Sequence, residues 1–224
     1  MSLRILADLE QGTEEWADQR RGMVTASVVG KLITPSTLKV ASNDESRGLT
    51  RLLVAERITG YTDPTYQSAD MFRGVIEEPR ARDTYSGHRA EAVECGFMVR
   101  DDWGFEIGYS PDGLVGDDGL IEVKAPRQKE HLRTILADEV PAWYMPQLQC
   151  GLLVSGRAWI DYVSFCGGLP MYVKRVHPDP RWHAVIVAAV EQFETTAAEM
   201  VAAYQQATKG LPMTERLVEM EMSL

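Results

Sequence analysis

The sequence predicts an α/β or α+β fold built around a mixed sheet of about five strands. Apolar residues recur at helical spacing in the first third of the chain, and the middle changes to the two-residue alternation of strands. Two further helices, two more strands and a long alanine-rich helix follow. The 224 residues contain no internal repeat and no long linker, so we expect a single domain over residues 1–224.

The first third of the chain predicts helices separated by one polar loop. The predicted elements are a helix from Thr13 to Arg21, a helix from Thr25 or Ser27 to about Ile33, a mobile loop over Thr34–Arg47, a helix over Gly48–Thr59 and a helix from about Ser68 to Tyr85. Thr13 suits an N-cap, and Gly22 and Gly60 suit helix ends. Pro79 removes a backbone donor inside the last of these helices, which predicts a kink or restart beside Glu78.

The rest of the chain predicts the sheet and the remaining helices. Runs of β-branched and aromatic residues, separated by turns rich in Asp, Gly and Pro, indicate the strands. The predicted strands are Ala92–Val99, Phe105–Tyr109, Leu120–Ala125, Ala158–Phe165 and Met171–His177. The predicted helices are Gln128–Ala137, Trp143–Val154 and one from Pro180 to about Thr208. The last two strands read as a hairpin across Gly167-Gly168.

Composition and charge argue against a membrane protein, a disulfide-rich protein and a zinc protein, and they leave a nucleic-acid-binding protein possible. No apolar run is long enough to span a bilayer and the N-terminus has no secretory signal, so we expect no membrane partner. Three widely spaced cysteines fit neither a disulfide framework nor a zinc site and favour the reducing cytoplasm. The net charge of −10 argues at first sight against a nucleic-acid partner. A basic lining inside an acidic shell is nevertheless compatible with this composition.

The turn before the third predicted strand carries the main chemical signal. Asp112 lies in a Pro-Asp-Gly turn that leads back to a strand in which Glu122 and Lys124 share one side, while Ile121 and Val123 enter the core. Two adjacent carboxylates repel each other and favour a hard divalent cation such as Mg²⁺. The backbone carbonyl of Val123 is a further candidate ligand. Lys124 beside the cation would orient an attacking water, which indicates hydrolysis.

The same residues also admit a purely structural interpretation. Pro-Asp-Gly is a common turn, and Glu122 with Lys124 fits an ion pair on a solvated strand face. The turn and the strand alone do not decide between the two interpretations. Glu78 adds a third carboxylate on an upstream helix, although a single glutamate there is typical of a surface. Trp143, Tyr144 and Trp159 fit packing in the core or at a rim better than stacking on bases.

Five motifs follow one another between about Glu10 and Phe165. They are the W-x-x-x-R-x-G-x-x-T-A-S element from Trp16 to Ser27, the G-x-x-x-E element from Gly74 to Glu78, Ser110-Pro111-Asp112-Gly113, Glu122-Val123-Lys124-Ala125-Pro126 and Gln147-Leu148-Gln149. In this order they resemble the lambda-type phage exonucleases, which are the YqaJ-like viral recombinase family within the PD-(D/E)xK nuclease superfamily. Five ordered motifs are far more specific than any one of them.

The resemblance implies a restriction-endonuclease-like core, a twisted mixed sheet flanked by helices, in one PD-(D/E)xK nuclease domain. It implies Mg²⁺-dependent 5′→3′ degradation of one strand of linear double-stranded DNA to mononucleotides. The remaining 3′ overhangs would serve recombination by strand annealing. The partners it implies are double-stranded DNA ends, further copies of the chain in a homotrimeric ring, and a single-strand annealing protein.

Residue roles follow from the matched positions. The resemblance implies two Mg²⁺ ions, with Mn²⁺ as a substitute, and a catalytic lysine at Lys124. It implies Asp112 and Glu122 as metal ligands and Glu78 as a group that acts near the second metal or the nucleophile, so the predicted catalytic residues are Asp112, Glu122, Lys124 and Glu78. With the Val123 carbonyl suggested above, the predicted metal site consists of Asp112, Glu122, Val123 and Glu78. The implied pocket for the terminal 5′-phosphate consists of Arg20, Ser27, Ser110 and Gln147. Arg20 supplies a planar fork suited to phosphate, and the other three donate neutral hydrogen bonds.

Two other functions remain open at this point. A structure-specific or restriction-like DNA endonuclease would use the same metal chemistry, but it would cut a closed circular duplex. A catalytically inactive DNA-binding scaffold would keep the fold without the reaction. The intact set of Asp112, Glu122 and Lys124 disfavours the scaffold.

Overall fold

A five-stranded mixed sheet forms the centre of the fold, as predicted. Its strands in spatial order are β10 (Tyr172–Val176), β9 (Trp159–Ser164), β8 (Gly119–Lys124), β7 (Gly113–Val115) and β4 (Ala92–Val93). β8 and β9 are parallel, and the other neighbouring pairs are antiparallel. The structure, a computed structural model, describes residues 2–64 and 68–216. Positions 1, 65–67 and 217–224 of the predicted domain lie outside the described residues.

Two smaller antiparallel sheets were not predicted. The first contains β1 (Leu3–Leu6), β5 (Phe97–Arg100) and β6 (Ile107–Tyr109) in the order β1-β5-β6, and the second pairs β2 (Ile33–Thr34) with β3 (Lys39–Val40). The prediction of one strand over Ala92–Val99 is therefore wrong, because this stretch supplies β4 to one sheet and β5 to another. The chain passes between the sheets at Gly96, where a Cβ atom would lie 2.3 Å from the carbonyl oxygen of Leu9. The strand predicted over Phe105–Tyr109 forms only over Ile107–Tyr109, and it belongs to the smaller sheet.

Six α-helices in the described residues pack around the sheets. They are α1 (Glu14–Arg20), α2 (Asp44–Thr59), α3 (Ala69–His88), α4 (Gln128–Ala137), α5 (Met145–Ser155) and α6 (Pro180–Ala207). The hydroxyl of Thr13 caps α1 by accepting a hydrogen bond from the N–H of Trp16, as predicted. α3 is continuous across Pro79, which corrects the predicted interruption. Val75, whose carbonyl loses its usual partner to the proline, is an exposed residue, so water can hydrate that carbonyl.

The segment after α1 forms an isolated bridge, turns and a short 3₁₀ helix where an α-helix was predicted. A 3₁₀ turn over Val29–Leu32 is the helical part of the stretch from Thr25 to Ile33. The N–H of Ala26 donates to the Gly108 carbonyl at 2.8 Å, and the N–H of Gly108 donates to the carbonyl of residue 24 at 3.1 Å. These contacts with β6 bond the backbone to a distant strand, so a helix cannot form there.

The predicted loop over Thr34–Arg47 is also partly structured. It contains β3 and the first turn of α2. Reciprocal hydrogen bonds between Asn43 and Ser46 fix the start of this helix four residues before the predicted one. The capping signal was therefore present in the sequence, inside a stretch whose polarity indicated a loop.

Both faces of the central sheet are buried. On one face, Ile121 and Val123 of β8 pack against Tyr85 of α3. On the other, Leu120 belongs to the main core together with residues of α5 and α6. α4 and α5 connect β8 to β9, because parallel neighbours need a crossover connection. None of the described helices combines the length and apolar character needed to cross a membrane.

Candidate active site

A cavity of about 730 Å³ opens between the end of α1, α3, β8 and α5. All nine residues predicted for the site line it, which are Arg20, Ser27, Glu78, Ser110, Asp112, Glu122, Val123, Lys124 and Gln147. The fold thus brings together groups that lie far apart in sequence. Their mutual contacts divide the cavity into a carboxylate region on β8 and a cationic region at α1.

Asp112 lies in the turn between β6 and β7 and is 8% exposed. β7 pairs with β8 only as far as Gly113 opposite Ile121, so the next free N–H on that edge of β8 belongs to Val123. Asp112 Oδ2 accepts this N–H at 2.6 Å. Burial and the charge of Glu122 raise the pKa of Asp112 well above its ordinary value. The carboxylate is therefore held next to β8 in a place that favours a cation.

Glu122 is 1% exposed and accepts hydrogen bonds from three side chains. Lys124 Nζ donates to Oε1 at 2.7 Å, Gln147 Nε2 donates to Oε1 at 2.5 Å, and the hydroxyl of Tyr109 donates to Oε2 at 3.1 Å. Burial alone lowers the pKa of Lys124, but Glu122 and Asp112 outweigh it and raise this pKa above its ordinary value. Lys124 is therefore a cation and a hydrogen-bond donor at neutral pH, not a base.

Glu78 reaches the cavity from α3. Burial raises the pKa of its carboxyl group, and the charge of Arg82 acts in the opposite direction. Arg82 Nη2 lies 3.4 Å from Glu78 Oε1 and 2.8 Å from a carboxylate oxygen of Glu94, while Nη1 donates to the carbonyl oxygen of Asp112 at 3.1 Å. Arg82 therefore ties α3 to the turn that carries Asp112.

The predicted set of three carboxylates is not assembled as one ligand group. Among residues 2–64 and 68–216, no group of three or more His, Cys, Asp or Glu side chains is arranged to hold a metal ion. Asp112 and Glu122 are neighbours, whereas Glu78 pairs with Arg82. Two mutually repelling carboxylates beside the backbone of Val123 still fit Mg²⁺. This ion needs only one or two protein carboxylates and takes water and phosphate oxygens as its other ligands.

Arg20 forms the cationic region of the cavity. Its guanidinium carbon lies 3.9 Å from the ring centroid of Trp16, and Nη2 donates to Ser27 Oγ at 2.9 Å and to Thr25 Oγ1 at 3.4 Å. All of these contacts are with neutral groups. Burial lowers the pKa of Arg20 to about 10, an effect that the charge of Glu56 opposes. A half-buried guanidinium with neutral neighbours favours an anion, and its planar fork fits phosphate.

The remaining members of the predicted phosphate pocket lie in the same cavity with different contacts. Ser110 Oγ accepts a 2.9 Å hydrogen bond from Trp16 Nε1, so the indole links Ser110 to Arg20. Gln147 donates to Glu122 instead of contacting Arg20 or Ser27. The structure therefore places Gln147 in the carboxylate region, which differs from its predicted neighbourhood.

Four further side chains shape the site but were not predicted for it. Trp16 and Thr25 belong to the first motif, so their positions were already marked in the sequence. Tyr109 directly precedes the Ser-Pro-Asp-Gly turn. Arg82 lies one helical turn after Glu78, a spacing that predicts contact on a helix.

Comparisons with known proteins identify a family and related structures. A family model described as the YqaJ-like viral recombinase domain matches residues 15–158. The crystal structure of an alkaline exonuclease from Laribacter hongkongensis is 31% identical in sequence with a TM-score of 0.79, over 89% of this chain and 100% of that one. The structure of the same enzyme in complex with dAMP gives the same values.

A more distant structure shows likeness in the fold alone. A phage-related exonuclease from Haemophilus somnus 129PT is 13% identical with a TM-score of 0.62, over 81% of this chain and 96% of that one. A comparison with curated proteins finds no match.

Proposed function

This chain belongs to the YqaJ-like viral recombinase family and is an exonuclease, and from this premise we propose that it degrades one strand of linear double-stranded DNA in the 5′→3′ direction with Mg²⁺. The products are mononucleotides and a duplex with a 3′ single-stranded overhang, the substrate of recombination by strand annealing. One observation carries the proposal. The half-buried guanidinium of Arg20 and the group of Asp112, Glu122 and Lys124 line a single cavity.

The cationic region accounts for the proposed direction. Arg20, with Ser27 and Ser110, binds the terminal 5′-phosphate, so the phosphodiester near Lys124 belongs to the first nucleotides of the same strand. Gln147 lies in the carboxylate region and donates a hydrogen bond to Glu122, so in this proposal it orients that carboxylate and does not contact the terminal phosphate. The Laribacter enzyme was crystallised with dAMP, a nucleoside monophosphate, which is the size of product that this arrangement would release.

The carboxylate region accounts for the proposed chemistry. Asp112, Glu122 and the Val123 carbonyl would hold Mg²⁺, and Glu78 would serve a second ion. Mg²⁺, for which Mn²⁺ substitutes, lowers the pKa of water and offsets negative charge on the phosphate. Lys124, kept cationic by its carboxylate neighbours, stabilises the negative charge that develops on the attacking oxygen.

An end-labelled duplex tests this function. We expect purified protein with Mg²⁺ to release labelled mononucleotides from a 5′-phosphorylated end faster than from a 5′-hydroxyl end. The Lys124→Ala variant serves as the negative control, because it lacks the catalytic lysine and should release no label. Release from the 3′ end first, or equal rates from both kinds of 5′ end, would contradict the proposal.

The alternatives give different results with other substrates. A restriction-like endonuclease would cut a covalently closed circular duplex, whereas an exonuclease that needs an end leaves it intact. An inactive scaffold would bind the linear duplex without shortening it. These two substrates in one assay therefore separate the candidates.

Assembly and partners extend the same proposal. We propose that three copies form a ring around the duplex in the cytoplasm and deliver the 3′ overhang to a single-strand annealing protein. A ring would concentrate cations such as Arg127, which lines the cavity, although the whole chain carries a net charge of −10. Light scattering that gives the mass of a monomer at working concentration would contradict the ring.

A further inference from the structure

Trp143 stands at the rim of the cavity and is exposed over more than half of its surface. It lies in a 3₁₀ turn over Ala142–Tyr144, directly before α5, and is 55% exposed although it lines the cavity. Its neighbour Tyr144 packs against the main hydrophobic core, whereas Trp143 is not among the side chains described there. The packing role expected from the sequence therefore applies to Tyr144, and the indole of Trp143 is free to contact a ligand.

A row of ring contacts joins Trp143 to the carboxylate region. Lys124 Nζ lies 5.6 Å from the ring centroid of Tyr144, and the rings of Tyr144 and Trp143 are 5.7 Å apart. Tyr144 is itself supported by Tyr162, whose ring centroid lies 5.5 Å away. Only one aromatic ring thus separates the indole from Lys124. A DNA strand with a phosphodiester at Lys124 carries one base on each side of that phosphate.

The guanidinium group of Arg133 on α4 lies close to the indole ring of Trp143. Its guanidinium carbon lies 5.0 Å from the ring centroid of Trp143, and an ion pair of 2.5 Å with Glu130 holds the arginine. A cation on an aromatic face is attractive and orients the ring. The exposed part of the indole remains available to a planar partner.

We propose that Trp143, oriented by Arg133, stacks on a nucleobase of the degraded strand near the scissile phosphate and so positions that phosphate at Lys124. This inference rests on the proposed exonuclease function. Every base offers a π-face, so the contact suits an enzyme that degrades DNA of any sequence. The contact of Tyr144 with the fully buried Tyr162 supports the ring on which Trp143 rests.

An abasic scan combined with mutation tests the contact directly. Linear 5′-phosphorylated duplexes carry a single abasic site at one of the first four nucleotides of the degraded strand. Each is digested by wild type, Trp143→Ala, Trp143→Phe and Leu136→Ala under single-turnover conditions with Mg²⁺. Leu136 is the matched control, because it is an exposed apolar residue of α4 that does not line the cavity.

Non-additivity is the expected result. On intact DNA, Trp143→Ala raises the DNA concentration for half-maximal rate by about tenfold, since one stacked base contributes that order of binding. Trp143→Phe recovers most of this loss, and Leu136→Ala behaves as wild type. At one abasic position the wild type loses the same factor, and there Trp143→Ala causes no further loss.

Two outcomes would refute the inference. Losses that multiply at every abasic position would show that Trp143 contacts no base, and a Trp143→Ala variant as fast as wild type would show that the indole is unused. If the alanine variant unfolds, Trp143→Leu retains the volume without the aromatic face and takes its place. If the wild-type protein does not digest the intact duplex, the proposed exonuclease function is wrong. This result differs from either outcome that refutes the stacking contact, so the two failures are distinguishable.

Discussion

The carboxylate of Asp112 accepts a 2.6 Å hydrogen bond from the backbone N–H of Val123. This bond replaces the strand partner that β8 lacks beyond β7, and it joins the turn to the strand that carries Glu122 and Lys124. Hydrogen bonds from the protein therefore hold the carboxylates of Asp112 and Glu122 next to each other without a bound metal ion. Because burial and the nearby Glu122 raise the pKa of Asp112, its negative charge costs stability in the folded protein. The same charge is what we propose binds the catalytic cation, so its effects on stability and on activity can be measured separately.

Asp112→Asn is expected to abolish activity while keeping the fold. An amide oxygen still accepts the Val123 N–H, but it carries no charge for a cation, so we expect a loss of at least about 100-fold in kcat/KM. Removing a buried charge beside Glu122 is expected to raise the free energy of unfolding by roughly 0.5–2 kcal/mol. Urea denaturation and a duplex digestion assay measure the two effects. A variant that is both inactive and less stable would contradict this division.

Lys124→Met separates the ion pair from the catalytic cation. The change leaves Glu122 buried without a cation, although Tyr109 and Gln147 still donate to it, so we expect up to roughly 3 kcal/mol loss in the free energy of unfolding. Adding Glu122→Gln is expected to restore part of that stability, because no charge then remains unpaired. Neither variant is expected to cleave DNA. Stability that stays low in the double variant would indicate a packing role for Lys124 instead.

Arg20→Ala is expected to remove the preference for phosphorylated ends. A hydrogen bond to a charged group contributes about 1.5–3 kcal/mol, which corresponds to roughly 10- to 150-fold in rate on 5′-phosphate ends. The rate on 5′-hydroxyl ends should change little. Arg20→Lys retains a charge without the planar fork and should recover only part of the preference. The measurement compares digestion rates on two duplexes that differ only in the terminal 5′-phosphate. An unchanged ratio of these rates in Arg20→Ala would contradict the prediction.

Divalent cations are expected to stabilise the protein through Asp112 and Glu122. Mg²⁺ at about 100 times its dissociation constant should raise the free energy of unfolding by about 2.7 kcal/mol, and a chelator should reverse this. The rise in Tm should be much smaller for Asp112→Asn. Asp44→Asn is the control, because Asp44 is fully exposed on α2. Equal Tm shifts in both variants would place the ion elsewhere.

His183 is expected to make the protein less stable in mild acid. Burial lowers the pKa of this histidine in the folded state, although Asp179 acts in the opposite direction. The unfolded chain therefore binds the proton more readily, and stability is lost as the pH falls through the unfolded value of about 6.5. Tm measured between pH 7.5 and pH 5 should fall less steeply for His183→Gln than for wild type. Parallel curves would show that this histidine does not contribute.

The fold could be predicted where local pattern and tertiary context agree. The helix over Gln128–Ala137 has the predicted bounds, and the hairpin of β9 and β10 forms across Gly167-Gly168. The prediction failed where a distant strand competed for the backbone, as at Ala26 against Gly108, or where the chain left one sheet for another at Gly96. Neither effect leaves a periodic signal in the local sequence.

The sequence by itself determined which residues could form a site. The order of five motifs, and the two-residue spacing that puts Glu122 and Lys124 on one side of β8, needed no coordinates, because strand periodicity is a local property. Only the tertiary structure decided that Gln147 contacts Glu122, that Arg82 links Glu78 to the Asp112 turn, and that Trp143 lies at the rim. Such contacts depend on how separate elements pack, and long-range packing is not encoded in the spacing of residues along one element.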